Sequence, residues 1–243
     1  MKGICQIPVI PCRAEPFDRS EMVNQLLFGE TYEVLEEQDK WVKIKSHGDN
    51  YECWISKNQH ADTSGHRDKK LIIAQKFSAA HHKDQSIFLP AGSIINDERS
   101  IRIDDKEFVL ENEVVTKTPE DLDKLSRSFL NTPYLWGGKT FMGIDCSGFT
   151  QVLFRCVGYA IPRDAWQQEE KGSSIEFGDH KFGDLAFFVN KEGKVNHVGL
   201  LLSQNEIIHA SGKVRSDKFN NEGIEHSDNG ELTHRLHSIK RYF

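Results

Sequence analysis

From Glu21 to about Asn58, short apolar runs alternate with polar positions: Leu26-Leu27-Phe28, Tyr32-Glu33-Val34-Leu35, Trp41-Val42-Lys43-Ile44 and Tyr51-Glu52-Cys53-Trp54-Ile55. A period of two over such short stretches predicts strands with one buried face. Gly29, the Gln38-Asp39-Lys40 corner and the Gly48-Asp49-Asn50 turn separate the runs at the spacing of a small antiparallel barrel, for which an SH3-like barrel is the simplest closure. A polar stretch from His60 to Lys70 leads to a second set of runs at 71–74, 86–89, 93–95 and 107–110, with Pro90-Ala91-Gly92 and Asp104-Asp105 supplying turns. These runs predict a second, more degenerate barrel. The two halves share pattern rather than residues, so no internal repeat is inferred.

After Thr118-Pro119-Glu120 the period changes. Leu122, Leu125, Phe129 and Leu130 fall at helical spacing behind a threonine cap and a proline in the first turn. A second amphipathic helix opens at Gly143-Ile144-Asp145-Cys146-Ser147-Gly148-Phe149 and carries Phe149, Val152, Leu153, Cys156 and Val157 on one side. The runs 184–189, 197–202 and 206–210 then read as three strands joined by turns at Lys191-Glu192-Gly193 and Ser203-Gln204-Asn205. The expected organisation is two small all-β barrels, 1–60 and 61–115, followed by an α+β domain over 116–243 with helices first and an antiparallel sheet after.

Composition narrows what this architecture can do. Of 243 residues, 37% are hydrophobic and 28% charged, the balance of a folded globular protein rather than a disordered one. The net charge of -6 arises from 37 acids against 31 bases with no long basic run, which argues against nucleic acid as a partner. No apolar run approaches the ~20 residues of a membrane span, and the N-terminus lacks a signal-peptide pattern. The chain is therefore expected to be cytoplasmic, or the processed form of an exported protein. Cys5, Cys12, Cys53, Cys146 and Cys156 are odd in number and lack CxxC spacing. Free thiols are the expected state, with Cys5 and Cys12 as the pair that could join after export. No histidine spacing matches a zinc site, so neither a metal nor another cofactor is expected.

Two kinds of residue invite chemistry. A cysteine in the first turn of a helix meets unpaired N–H groups and the positive end of the helix dipole, which favour thiolate and could hold an oxyanion. Cys146 is so placed. It reads either as a reactive thiol or as a small buried apolar residue, and the polar flanks Asp145 and Ser147 with nearby Gly148 favour the first. Among eleven histidines, His197 opens an apolar strand and His209 ends the next, so a hairpin could bring His209 up to orient the His197 ring. The others lie in polar surroundings or flank turns, as do His66 and His234, and read as solvated.

These residues also occur in a recognisable order: Pro133-Tyr134-Leu135-Trp136-Gly137-Gly138, the block 143–149, Pro162-Arg163-Asp164, Gly183-Asp184-Leu185, Asn196-His197-Val198-Gly199 and Ile208-His209-Ala210. The order resembles the NlpC-type cysteine peptidases of bacterial cell-wall metabolism. The resemblance implies a papain-like catalytic domain with Cys146 as nucleophile, His197 as base, His209 as the orienting third member, and Tyr134 on the active-site wall beside the oxyanion. Arg13-Ala14-Glu15, Ser20-Glu21-Met22-Val23, 25–30 and 51–55 further resemble the SH3-like domain of the γ-D-glutamyl-L-diamino-acid endopeptidases, in which the barrel caps the cleft and the substrate needs a free N-terminal L-alanine.

A murein-derived L-Ala-γ-D-Glu-diamino acid peptide, met in cell-wall recycling by a monomeric enzyme, is the partner this implies. A free ammonium held against a barrel wall needs an acid to offset its desolvation. Glu21 and Asp164 are the candidates, with Tyr51 and Trp136 as further contacts and Asp145 and Ser147 orienting the D-glutamate. Two positions depart from the family pattern: Ala165 stands where serine is frequent, and Cys53 replaces the usual glycine before the barrel tryptophan, where it is expected to alter the local turn. An amidase or acyltransferase on the same core, and a non-catalytic peptide-binding protein, are the alternatives.

Overall fold

The computed structural model describes residues 1–63, 70–103 and 105–243. The middle of the polar stretch 60–70, with His66, and Asp104 of the expected acidic turn lie outside these residues.

Six strands make the first sheet: β1 (Lys2–Ile4), β2 (Val9–Arg13), β3 (Met22–Leu27), β4 (Thr31–Glu37), β5 (Trp41–Ser46) and β6 (Glu52–Ser56), in the antiparallel order β1-β4-β5-β6-β2-β3. Alternation does what the pattern implies, since Val42 and Ile44 of β5 turn inward to meet Ile10, Leu26, Tyr32 and Ile55. Strands β1 and β2 add to the four expected. Cys53 sits mid-strand, buried in this core opposite Ile44, so it alters no turn. All five cysteines are free and buried, Cys5 and Cys12 included.

The second region holds a two-stranded ribbon of β7 (Leu71–Ile72) with β10 (Ile94–Ile95), and a four-stranded sheet of β8 (Phe77–His82), β9 (Gln85–Pro90), β11 (Ser100–Ile103) and β12 (Lys106–Leu110) in the order β11-β12-β8-β9. Strand β8 reads Phe-Ser-Ala-Ala-His-His and lacks the β-branched residues that announce a strand.

Helix α1 (Leu122–Ser128) starts the third region where Thr118 and Pro119 predict it, with Thr118 N–H donating to Asp121 Oδ2 at 3.0 Å. A short hairpin, β13 (Lys139–Thr140) and β14 (Gly143–Ile144), precedes α2 (Cys146–Cys156) and α3 (Ala165–Lys171). Seven strands follow: β15 (Ser173–Ile175), β16 (Leu185–Val189), β17 (Val195–Leu201), β18 (Glu206–Ser211), β19 (Lys213–Phe219), β20 (Gly223–Glu225) and β21 (Leu232–Arg241). Their order is β15-β21-β16-β17-β18-β19-β20, and β20 also pairs with β21, so the sheet curls back on itself. Each buried strand serves two cores. Leu185, Phe187, Val198 and Leu200 pack with α2, while the alternate residues Ala186, Phe188, Leu201 and Ile207 fill the curl with Phe219 and Ile224.

The three regions are locked together. Leu27, at the end of β3, packs in the core around α2, and Phe28 packs in that of the second region. Buried Glu30 pairs with Arg155 of α2 and, at 3.4 Å, with Lys139 of β13. Gln25 Oε1 accepts from Lys139 N at 2.7 Å, and Asn24 Oδ1 accepts from Arg163 Nε at 2.9 Å. The first barrel is thus fixed over the start of α2. Among the described residues no helix is long and apolar enough to cross a membrane.

Candidate active site

Asp145 is the N-cap of α2: its Oδ1 accepts from Gly148 N at 2.7 Å, and its Oδ2 accepts from Gly137 N at 2.8 Å. Capping in this way satisfies one of the helix's free donors and leaves those of Cys146 and Ser147 at the opening of the first turn. A side chain at position 148 would bring its Cβ within 2.3 Å of the Gly138 carbonyl oxygen, so only glycine permits this approach. Buried Arg163 completes the support, donating to both Asp145 oxygens at 3.0 and 2.5 Å and to Ser147 Oγ at 2.9 Å.

Cys146 is only 4% exposed. Burial, joined by the charge of Asp145, pushes its thiol up to about 12, although the Val198 and Ser147 N–H groups and Arg163 work to lower it. The helix terminus does not by itself produce a thiolate here, because desolvation outweighs the dipole. Burial thus favours the protonated thiol in the resting site.

His197 and His209 come together as the sequence suggests, with Nε2 of the first 2.8 Å from Nδ1 of the second. Their strands pair with Gly199 opposite His209, so His197 is a diagonal neighbour on the same face. A Cβ on Gly199 would lie 2.7 Å from Ile207 Cδ1 and 3.0 Å from His209 Cβ, so glycine at that position makes room for the second ring. Burial, then the neighbouring histidines, hold His197 well below its ordinary value, and burial also lowers His209.

Two residues of this cluster went unrecognised in the sequence. Asp217, on β19, is buried and its Oδ2 lies 3.0 Å from His209 Nε2; Arg215 and Ser227 N–H also donate to it. Burial works against its charge, but those bonds hold the carboxyl well below the usual range. His234, read from sequence as solvated, instead stacks on His197 with ring centroids 4.1 Å apart and planes 25° from parallel. Burial, then His209, lowers it to about 4. His180, which flanks a turn, is also buried rather than solvated, and bonds Gln204 O at 3.0 Å.

Ring nitrogens of His197, His209 and His234 lie within 4.8 Å of one another, close enough to suggest a metal centre. The ring geometry opposes it. Lone pairs of imidazoles lie in the ring plane, so two nearly parallel stacked rings cannot converge on one tetrahedral ion, and the His197–His209 hydrogen bond occupies a further pair of ligand atoms.

Cys146 and His197 line one cavity of about 630 Å³. Tyr134, Trp136, Asp145, Ser147 and Asp164 line it too, and Tyr51 closes it from the first barrel. His209 is held behind His197, outside the lining. Glu21 is exposed at the foot of β3 and is not part of the wall either, so Asp164 is the expected amine partner that reaches the cavity. Asp145 lines the wall, but both its oxygens are already occupied by Arg163 and backbone N–H groups, which makes it a support for α2 rather than the D-glutamate contact expected of it. Ala165 begins α3 at the cavity edge, where a serine hydroxyl would face the space. Burial raises the Asp164 carboxyl against the pull of Arg163, and the Trp166 indole N–H donates to it. Tyr134 is pushed upward by burial and by the nearby Cys146 and Asp145, and so keeps its donor proton.

The NlpC/P60 family model matches residues 131–232, which include every residue of this cluster from Tyr134 to Asp217, and a bacterial dipeptidyl-peptidase SH3 domain model matches 12–59. A γ-D-glutamyl-L-lysine dipeptidyl-peptidase of Bacillus subtilis is 31% identical over 211 residues, 77% of this chain and 71% of the relative. The chain belongs to the NlpC/P60 family. A second γ-D-glutamyl-L-lysine dipeptidyl-peptidase, from Bacillus cereus, is 27% identical over 231 residues, covering 81% of this NlpC/P60 chain and 69% of that one. The crystal structure of an NlpC/P60 protein from Bacillus cereus superposes with a TM-score of 0.83 at 20% identity, covering 100% of this chain and 99% of the other. That likeness spans the SH3-like region and the α+β domain together, the architecture expected from the sequence.

Proposed function

We propose that the protein is a cysteine endopeptidase that hydrolyses the γ-D-glutamyl–diamino acid bond of murein peptides with a free N-terminal L-alanine, in the cytoplasmic recycling of cell-wall peptides. The observation that carries the proposal is the cavity itself: Cys146 at the start of α2 and His197 line it together, with Asp164, and Tyr51 from the barrel, in the same lining. Two relatives named as γ-D-glutamyl-L-lysine dipeptidyl-peptidases support the choice of bond.

In this reading the Cys146 proton passes to His197 as the sulfur bonds the γ-glutamyl carbonyl carbon. The oxyanion receives hydrogen bonds from N–H groups at the start of α2 and from the Tyr134 hydroxyl. The C–N bond then breaks as His197 returns the proton to the leaving amine. Water, deprotonated by His197, attacks the thioester; the carbon–sulfur bond breaks and the thiol regains its proton. Asp164 pairs the substrate ammonium, a role that suits a half-buried carboxyl whose own ionisation is disfavoured by desolvation. An ammonium beside it would draw its pKa down and supply affinity that an acylated N-terminus could not.

Turnover of L-Ala-γ-D-Glu-L-Lys by the purified protein tests the proposal. Cleavage should release the L-Ala-γ-D-Glu dipeptide, vanish in Cys146→Ala, and fail on the N-acetylated peptide. Equal cleavage of free and acetylated peptides would remove the role given to Asp164, and undiminished turnover in Cys146→Ala would remove the mechanism.

A further inference from the structure

We infer that Asp217 is a positioning residue for this site: acting through His209, it sets which nitrogen of His197 is left bare to take the proton of Cys146. The inference rests on the peptidase reading of Cys146 and His197. Strand register builds the arrangement. Gly199 faces His209 across β17 and β18, and Arg215 faces it across β18 and β19, so His197 and Asp217 are its diagonal neighbours on one face. Bonds of 2.8 and 3.0 Å then join His197 to His209 and His209 to Asp217.

The protons on this chain follow from counting donors and acceptors. An ionised carboxylate only accepts, so the bond at Asp217 Oδ2 must use a proton on His209 Nε2. Burial lowers the His209 pKa and favours its neutral form, and with that proton placed its Nδ1 can only accept. The proton between the two rings therefore belongs to His197 Nε2. A neutral His197 with Nε2 protonated has a bare Nδ1, and that is the atom left to receive the Cys146 proton. When it does, His197 becomes an imidazolium whose Nε2–H already rests on an acceptor, and the Asp217 charge lies one ring away.

Asp217→Asn should reverse the chain. The Asp217 oxygens face Arg215 Nε and Nη2, Ser227 N and His209 Nε2, all as donors. An amide NH2 placed among them clashes with a proton wherever it points. Oδ1 meets Arg215 Nη2 and the fixed backbone donor Ser227 N–H, whereas Oδ2 meets Arg215 Nε, on a partly exposed side chain that can swing away, and His209, which can move its proton to the other nitrogen, so the NH2 takes the Oδ2 position. His209 then carries its proton on Nδ1, donates to His197 Nε2, and leaves His197 with Nδ1 protonated and unable to act as base.

The test is made on the full chain by two measurements. Steady-state kinetics on L-Ala-γ-D-Glu-L-Lys should show kcat falling by about 10²-fold or more in Asp217→Asn while KM stays within about threefold, since Asp217 does not line the cavity. Arg215→Gln, which disturbs the same corner but keeps the carboxylate, should lose less than about tenfold. A merely structural role for the Arg215–Asp217 pair predicts equal losses in the two variants. NMR of labelled histidine ring nitrogens should place the proton of both His197 and His209 on Nε2 in the wild type and on Nδ1 in Asp217→Asn. A wild-type His209 protonated on Nδ1, ring shifts unchanged by Asp217→Asn, or equal kinetic losses would overturn the inference. Absence of turnover in the wild type would instead count against the peptidase reading, and the ring shifts would still decide the role of Asp217.

Discussion

The His197 and His234 rings lie face to face, with centroids 4.1 Å apart, and Phe188 meets both at 5.8 and 6.0 Å. An imidazole held on one face by another flat ring and on its edge by His209 has little freedom to turn. Alignment of a base with its nucleophile is where such restraint counts, since small misplacements are costly in rate. His234→Ala should lower kcat by about tenfold with KM little changed, and His234→Phe, which keeps a flat ring, should recover most of the loss. Equal kinetics in the two variants would show that the stack restrains nothing that matters to turnover.

Charge states of Cys146 and His197 make a separate prediction. With the thiol pushed up to about 12 and His197 held below its ordinary value, the resting pair is neutral, not a thiolate–imidazolium pair. A raised thiol populates its thiolate only as pH rises, so alkylation of Cys146 by iodoacetamide should accelerate by about tenfold per pH unit from pH 6 to 9. His197, the proposed base, behaves oppositely. A histidine of lowered pKa stays unprotonated through pH 6.5, so kcat/KM should hold its neutral-pH value there and fall only at lower pH. Mass-spectrometric labelling that reaches a plateau near pH 5 would contradict the neutral pair.

Asp164 offers a way to separate charge from fold. It is the N-cap of α3, and its N–H donates to Gln167 Oε1 at 3.3 Å. Asparagine caps helices as well as aspartate does, so Asp164→Asn preserves α3 while removing the negative charge from the cavity. A charge-assisted hydrogen bond lost at a half-buried site corresponds to about 2 kcal/mol, or roughly 30-fold in kcat/KM for the free-amine peptide. Acetylated peptide should be affected far less, narrowing the discrimination between the two. An equal fall for both would mean that Asp164 supports the wall and does not read the amine.

What the sequence revealed and what it hid follow from where each residue gets its environment. Cys146 announces itself locally, because the aspartate cap, the glycine two positions on and the apolar stripe of α2 are all within eleven residues. His197 and His209 stand out as polar residues at the ends of apolar strands. Asp217 and His234 have no such contrast. Strand β19 reads Lys-Val-Arg-Ser-Asp-Lys-Phe and β21 carries Thr-His-Arg-Leu-His, so their inward positions look like solvated ones. The pairing of β20 with β21 curls the sheet around them and contributes to their burial. One local signal was available: Asp217 is two residues before Phe219 and two after Arg215, an acid in phase with an inward aromatic. Glu21 shows the complementary limit: it is exposed at the foot of β3 and outside the cavity lining, and a barrel edge places neighbouring residues on opposite sides without the sequence saying which side meets the cavity.

The barrel's hold on the catalytic domain can itself be tested at Glu30. This carboxylate is 5% exposed; Oε2 accepts from Leu27 N at 2.6 Å and meets Lys139 Nζ at 3.4 Å, while Oε1 pairs with Arg155. Burial alone would raise its pKa, but Arg155 and Lys139 outweigh that and hold it below the ordinary value of 4.5. Glu30→Gln keeps the shape and leaves buried Lys139 and partly buried Arg155 with only Asp49 as nearby counter-charge, a loss of about 3 kcal/mol by comparison with other broken buried pairs. The sign of the pH dependence is set by the lowered pKa. Stability from Glu30 is complete above the unfolded value near 4.5 and is lost as pH falls through the lower folded value. Denaturant titrations should therefore find Glu30→Gln less stable at neutral pH, with the gap to the wild type closing as both are acidified below pH 4.5. A gap that stays constant through the acid range would assign the loss to packing and not to the charge that joins the barrel to α2.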